Sequence, residues 1–458
     1  RQGMQPANIQ AVHLGIASHN LFELAYAYEL GCLNQVTDFF NFEMLEGMAD
    51  HVRRALFETT GEMLLYAPVA SKDQFINAIA YLIRRLDENT SPENFLRYLP
   101  KLQTGSRQWA FLEEQFSASI AYMDRVGKHP HRVQDRAKEV FSEKMGTFYT
   151  NEFQNEADTD WSLAANRAWA DAIRTKWKKR ATDPALKIPL VVAGQEFFDN
   201  RDQRTCLDAS QSTAAVTVAR FALAGEADIQ AAVATAKADP EGWRGLGHRE
   251  RHRILAGVAA ALRRSRGDLI GAAAANTGKV FSESDVEVSE AIDFAEYYPY
   301  SAGFYYNVPS LQVSGKGVGL VIAPWNFPIA IPCGGILAAL AAGNTVIFKP
   351  SSDAVLVAWV LCRCFWEAGV SQNTLQFVPC SGADVGPKLT GHPDVDFIIL
   401  TGGTATGMAI LKQRPDVLLA AETGGKNVTI VTAMSDRGQA VKNIVYSAFG
   451  HCGQKCSA

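Results

Sequence analysis

Short apolar runs alternate with stretches of helical period from Ala11 to about Tyr98: HLGIAS, LFELAYAYEL, DFFNFEML, MADHVRRALF, MLLYAPV and FINAIAYLIRRL follow one another. Strand-length runs separated by single helices predict parallel strands, because parallel neighbours need a crossover between them. Only three such units are visible, too few to close an eight-unit barrel. From about Pro100 to Arg180 the chain is polar and helical, with the charge-rich DRVGKHPHRVQDRAKEVFSEK and the Trp-dotted WSLAANRAWADAIRTKWKKR, and reads as a connector. A second pattern opens with IPLVVAG after Ala185 and continues through a polar-faced helical stretch from Ala227 to Asn276. It then becomes an array of the strands GLVIAP, NTVIFKP, TLQFVP, DFIILTG and VTIV, each followed by helix-compatible residues. That array predicts a doubly wound α/β sheet, in which ligands sit at the carboxyl ends of the strands, and Asn326, Lys349 and Thr401 to Thr404 fall at such ends. The expected division is 1–100, 101–180 and 181–458, with no fixed-period repeat.

The run from Gly317 to Phe348 carries no charged side chain and could pass for a membrane span. Pro324, Pro328 and Pro332, with Gly334, Gly335 and Gly343, fit a strand, a turn, a buried helix and a second strand better than one continuous helix. A chain of 458 residues with 47% hydrophobic and 20% charged residues has the composition of an ordinary globular protein of more than one domain. Its net charge of -4 gives no electrostatic reason to expect a nucleic-acid site. Eight cysteines, at 32, 206, 333, 362, 364, 380, 452 and 456, are too sparse for a disulfide framework and predict a reducing, cytoplasmic setting. No charged region followed by a short apolar run opens the chain, so no secretory signal is expected. His451, Cys452 and Cys456, or Cys362 with Cys364, lack a second pair at zinc spacing, so no metal site is expected.

Four motifs stand in chain order before GQKCSA at 453–458: APWNFP at 323–328, KPS at 349–351, TGGTATG at 401–407 and ETGGK at 422–426. Taken singly, Lys349 is a solvated charge at a strand end, Glu422 a loop carboxylate and Cys456 a small inert hydrophobe. TGGTATG also departs from the GxGxxG fingerprint. Together the motifs resemble the aldehyde dehydrogenase family, which implies an NAD-dependent oxidation. The chemistry needs a thiolate to make the aldehyde carbonyl tetrahedral, donors for the resulting oxyanion and a base to hydrolyse the thioester. By the resemblance Cys456 is the nucleophile, Asn326 and the Cys456 N–H are the oxyanion donors, and Glu422 is the base. The same resemblance puts Ala323, Pro324, Trp325, Lys349, Ser351, Gly402, Gly403 and Thr404 at the NAD site, although Ser352 and Asp353 stand where many relatives carry Glu three residues after the lysine.

The segment running from Gly424 through GQKCSA, with the helical VEVSEAIDFAEYY, resembles the branch that oxidises L-glutamate γ-semialdehyde, and implies that Glu290 approaches the substrate or the nucleophile. An ordinary exposed helix face is the other reading of Glu290. In the N-terminal part, IASHN at 16–20, LLYAPV and YLIRRLDE at 81–88 resemble the closing units of a flavin-dependent proline dehydrogenase barrel. Together the halves resemble the bacterial proline utilization A family. Tyr81, Arg84, Arg85 and Glu88 recur at helical spacing opposite Ile76, Ile79, Ile83 and Leu86, and paired guanidinium groups suit a carboxylate. The resemblance makes Arg84 and Arg85 the clamp on L-proline, Tyr66 and Tyr81 the cover of its ring, and His19 and Asn20 contacts to FAD. It further implies a two-step oxidation of proline to glutamate, a quinone as electron acceptor, a homo-oligomer, and cytoplasmic location with peripheral association at the inner membrane. The alternatives are a monofunctional aldehyde dehydrogenase acting on another substrate and a non-catalytic regulator that kept the fold. Five further β/α units would be needed to complete the barrel, so both catalytic domains are expected to be incomplete here.

Overall fold

The computed structural model describes residues 2–9, 11–127, 130–140, 153–179, 182–211 and 215–457. The chain divides into two compact units, Arg1–His131 and Arg132–Ala458.

The first unit contains α1 (Pro6–Ile9), β1 (Leu14–Ala17), α2 (Leu21–Asn34), β2 (Phe40–Leu45), α3 (Asp50–Thr60), β3 (Met63–Tyr66), α4 (Phe75–Asn89) and α5 (Arg107–Tyr122). Its three strands are parallel and lie in the order β1-β2-β3, with Leu14 opposite Phe40 and Phe42 opposite Met63. The expected β/α alternation is therefore present. The central strand explains the packing: Phe40, Phe42 and Met44 alternate inward and join Leu24, Val52 and Leu112 in one core. Asn20 caps α2 through its side chain, and Gly61 ends α3 in the left-handed region at φ 80°. No residue of α4 is buried.

The second unit begins with α6 (Ala164–Trp177), followed by β4 (Leu186–Ile188), β5 (Leu190–Val192), β6 (Gln195–Phe197), β7 (Gln203–Leu207) and β8 (Thr217–Ala222). Four helices come next: α7 (Glu226–Ala238), α8 (His248–Arg264), α9 (Arg266–Thr277) and α10 (Phe281–Tyr306). The nucleotide-type array is β9 (Val318–Ile322), α11 (Ala330–Ala341), β10 (Thr345–Lys349), α12 (Val355–Glu367), β11 (Leu375–Phe377), α13 (Gly386–Thr390), β12 (Phe397–Thr401), α14 (Thr404–Gln413) and β13 (Leu418–Glu422), with α15 (Arg437–Phe449) beyond. Of the expected helical connector, α5 and α6 are present, while 128–129, 141–152 and 180 lie outside the described residues.

The main sheet has the order β13-β12-β9-β10-β11-β5-β6. Its first five strands run parallel, and β5 and β6 close the far edge antiparallel. Large apolar clusters cover both faces, one built on α8 to α12 and the other on α7. The chain steps from β9 to β10 on one side and returns to β12 on the other, so the switch point lies at β9. The uncharged run from Gly317 to Phe348 resolves into β9, a turn, α11 and β10, and no described helix is long and apolar enough to cross a membrane.

One expected strand is corrected. VTIV at 428–431 has no strand partner, and Val428 and Ile430 are each 81% exposed. The edge strand is instead Leu418–Glu422, in register with β12 from Leu418 opposite Phe397 to Glu422 opposite Thr401. Strand propensity at 428–431 is not enough without a neighbour to complete the ladder.

Candidate active site

The four motifs meet because each begins where a strand of the parallel array ends. Ala323 to Asn326 follow β9, Lys349 closes β10, Gly402 and Gly403 follow β12, and Glu422 closes β13. They line one cavity of 1040 Å³ that also takes in Ser351, Gly424, Gly425, Gln454 and Cys456. Thr404 starts α14 directly after its cap residue Gly403, and the cavity is lined there by Gly403, Ala405 and Thr406 and not by Thr404 itself. The β12–β13 register sets Glu422 level with Thr401, and its carbonyl accepts from the Gly402 N–H at 3.0 Å.

Of the eight cysteines, Cys206, Cys333, Cys362, Cys364 and Cys380 are buried, and burial pushes each of their thiols up, that of Cys206 to about 12. Such thiols are inert as nucleophiles. Cys32, Cys452 and Cys456 are exposed, and among these Cys456 faces the cavity. Its carbonyl accepts from Asn427 Nδ2 at 2.6 Å. A Cβ on Gly425 would come within 3.1 Å of that carbonyl, so glycine there admits the cysteine segment. Asn326 Nδ2 donates to the Gln454 carbonyl at 2.7 Å, two residues before the thiol.

Several residues to which the sequence assigned no role at this site hold the arrangement. Lys279 Nζ pairs with Glu287 Oε2 at 2.7 Å, both side chains being 1% exposed, and also donates to the Asn326 carbonyl at 3.2 Å. The other oxygen of Glu287 accepts from the Ile329 and Ala330 N–H groups at 2.7 and 3.0 Å. α11 has no capping side chain of its own, and this carboxylate from α10 takes that place at its positive end. His451 bridges Glu283 and the Asn326 carbonyl. α10 is fixed in turn through Asp285, which accepts from Arg266 Nη1 at 2.8 Å and from Thr159. In the sequence Glu283 and Glu287 read as ordinary charges one turn apart on an amphipathic helix, with no signal of their partners.

Glu290 lines a second cavity of 590 Å³, mostly apolar, with Phe294, Tyr298 and Gly334. Glu422 borders both cavities, whereas Cys456 borders only that of 1040 Å³. Burial, reinforced by the neighbouring Glu287 carboxylate, raises the Glu290 carboxyl above the usual range.

In the first unit Tyr66, Tyr81 and Arg85 come together: the tyrosine rings are 6.0 Å apart and the Arg85 guanidinium lies 5.4 Å from the Tyr81 ring. Arg84 points away, its side chain 76% exposed against 20% for Arg85, with Glu88 3.4 Å from its Nε. His19 Nε2 accepts from the Leu45 N–H at 3.2 Å, and burial lowers its basicity. The Asn20 oxygen accepts from the Phe22 N–H as the α2 cap. Among the described residues no group of three or more His, Cys, Asp or Glu could hold a metal ion.

The aldehyde dehydrogenase family profile matches residues 198–458 and the proline dehydrogenase profile residues 3–98. A 1-pyrroline-5-carboxylate dehydrogenase of Staphylococcus epidermidis is 33% identical over 324 residues, covering 67% of this chain and 62% of that protein. The structure of proline utilization A from Bdellovibrio bacteriovorus superposes with a TM-score of 0.82 at 28% identity, over 100% of this chain and 46% of that one. A 1-pyrroline-5-carboxylate dehydrogenase from Thermus, solved with bound NAD, gives 0.61 at 33% identity over 67% of this chain and 62% of that one. The chain thus spans less than two thirds of the length of these relatives. With one profile covering more than half its residues, the chain belongs to the aldehyde dehydrogenase family, joined to a segment of the proline dehydrogenase family.

Proposed function

We propose that the complete protein oxidises L-proline to L-glutamate in two steps, a flavin-dependent proline dehydrogenation followed by NAD-dependent oxidation of L-glutamate γ-semialdehyde. The observation that carries the second step is the convergence of Cys456, Asn326, Glu422 and Lys349 on one cavity at the switch point. The division into a barrel portion over 1–100, a connector over 101–180 and an NAD domain from 181 belongs to the same reading.

A cavity of 1040 Å³ with the α14 N-terminus and Lys349 on its wall suits a dinucleotide. Ala323, Pro324, Trp325, Lys349, Ser351, Gly402, Gly403 and Thr404 would hold NAD+, which when bound supplies the hydride acceptor. The Cys456 thiolate attacks the aldehyde carbon, and Asn326 meets the developing oxyanion with the second proton of its carboxamide. Departure of hydride leaves a thioester on Cys456. Glu422 takes a proton from the water that hydrolyses it, releasing glutamate and the thiol. Glu290, in the adjoining cavity, would meet the amino-acid end of the aldehyde.

For proline, Arg85 would bind the carboxylate and Tyr66 and Tyr81 would cover the ring, while Arg84, turned to solvent beside Glu88, would have to swing inward to complete the clamp. Three strands, with His19 and Asn20 engaged in their own hydrogen bonds, do not enclose a site for FAD among the described residues, and the complete barrel would have to supply it. A quinone acceptor, a homo-oligomer, and cytoplasmic location with peripheral membrane association complete the proposal.

The test supplies complete protein with L-proline, NAD+ and a quinone and follows NADH, in parallel with Cys456→Ala. NADH from the wild type, with flavin reduction alone in the variant, is the expected result. Absence of proline-dependent flavin reduction in both would remove the first step, and NADH from Cys456→Ala would remove the assignment of the nucleophile.

A further inference from the structure

One side chain outside the motifs ties the cysteine segment to the loop carrying Asn326. His451 lies in the 3-10 turn Gly450–Gly453, is 8% exposed and has φ 53°, and Cys452 follows at φ 54°. Two consecutive non-glycine residues in the left-handed region cost about 1–2 kcal/mol each, so the surroundings must hold them there. Three of the tethers come from His451. Its N–H donates to Glu283 Oε1 at 2.8 Å, its Nδ1 lies 3.1 Å from Glu283 Oε2, and its Nε2 lies 2.6 Å from the Asn326 carbonyl. The ring also lies 5.3 Å from that of Phe327. A carbonyl can only accept, so Nε2 carries a proton; a carboxylate can only accept, so Nδ1 carries one as well. The species that satisfies both contacts is the imidazolium, whose charge strengthens each bond.

We propose that His451 is a positioning residue for the aldehyde dehydrogenase step: in its imidazolium form it staples the Asn326 peptide to the cysteine segment and so aims the oxyanion-binding carboxamide. This rests on the function proposed above. The staple has two arms, the His451 ring on the Asn326 carbonyl and the Asn326 carboxamide on the Gln454 carbonyl. The charged groups around it are Glu283 and Glu287 on α10, Lys279 in the turn before α10, and Lys455 on its own segment. Lys455 is held over the Tyr446 ring, 4.4 Å from its centroid. From the β9–α11 loop come only the uncharged Asn326 and Phe327. Removing the His451 side chain leaves Lys279 as the sole donor to the Asn326 carbonyl among these contacts. The carboxamide then loses its aim. The cofactor contacts on β10 and β12 are untouched, so the effect falls on kcat and spares the KM for NAD+.

The experiment uses the complete protein, NAD+ and propanal, an aldehyde that cannot cyclise, and measures kcat and the KM for NAD+. His451→Gln, which keeps a neutral hydrogen-bonding side chain, should show about tenfold lower kcat, with KM for NAD+ within about twofold. Should His451→Gln fail to fold, Glu283→Gln decides the question, because loss of the carboxylate that holds the ring should lower kcat with the same sparing of NAD+ affinity. A folded variant with unchanged kcat, or equal losses in kcat and in affinity for NAD+, overturns the proposal. A parallel assay with 1-pyrroline-5-carboxylate separates the two readings: activity on propanal alone removes the proposed substrate and leaves His451 to be judged on the split between kcat and KM, whereas no aldehyde oxidation at all removes both.

Discussion

Lys279 and Glu287 form a buried ion pair whose disruption should be felt directly under the Asn326 loop. Lys279→Met keeps most of the side-chain volume and removes the charge. Glu287 then retains the Ile329 and Ala330 N–H groups but has lost the cation 2.7 Å from its other oxygen. Coulomb attraction at that distance with an effective dielectric of about 20 is about 6 kcal/mol, which sets the ceiling. The molecule has a cheaper escape, because neutralising an ordinary carboxylic acid at pH 7 costs about 4 kcal/mol. The lower route wins, and the loss should be about 3–4 kcal/mol, within the range for a buried pair deprived of one partner. Lys279→Met combined with Glu287→Gln removes both charges and keeps an acceptor for the α11 amides, so most of the loss should return. A chain of two units does not unfold as one step, so the readout is amide hydrogen exchange at Ile329 and Ala330 in the complete protein. Protection should drop by about two to three orders of magnitude in the single variant and recover in the double. Undiminished protection in Lys279→Met, or a double variant less protected than the single, would refute the reasoning.

Two further predictions concern single groups. Glu422→Gln should leave the first turnover of NADH intact, because Cys456 still attacks and hydride still departs, while steady-state turnover falls about 10²-fold or more as the thioester waits for its base; a burst lost together with the steady state would remove Glu422 from that role. His19 is less basic than the ordinary imidazole value of 6.5 because it is buried, with the Leu45 hydrogen bond opposing the shift. A depressed value means that its contribution to folding is fully present above 6.5 and is lost as pH falls through the folded value. Protection of the Leu45 amide, corrected for intrinsic exchange, should therefore fall on the acid side of neutrality, and a flat profile would contradict the sign.

The parallel array and the motifs at its strand ends were legible because each signal is local: an apolar run of strand length, then a turn with Pro or Gly, then a helix. What fixes those turns was not legible. Glu287 on α10 caps α11 across 42 positions of sequence, and His451 reaches Asn326 across 125. Neither looks different from a charge on an amphipathic helix or a loop imidazole until the fold brings its partner close. Leu418–Glu422 reads by propensity as helix, with two leucines, two alanines and a glutamate, yet it pairs with β12 along five residues. VTIV reads as strand and has no partner. In both cases the available neighbour outweighed intrinsic preference. The separation of Arg84 from Arg85 has the same origin, since helical spacing fixes which residues are near one another but not which of them is turned to solvent.

The two sides of the candidate site are held by different physics. Lys349 and Gly402 follow from strands buried on both faces, so their positions are set by packing, and Glu422 ends the exposed edge strand β13, held by its ladder with β12. Cys456 comes 34 residues after Glu422, beyond α15, and that helix has no buried residue. Its segment is held by hydrogen bonds instead: Asn427 to the Cys456 carbonyl, Asn326 to Gln454, and His451 to Glu283 and Asn326. Perturbations of the tethers should thus appear first in the chemical step, while perturbations of the β10 and β12 ends should alter cofactor binding first.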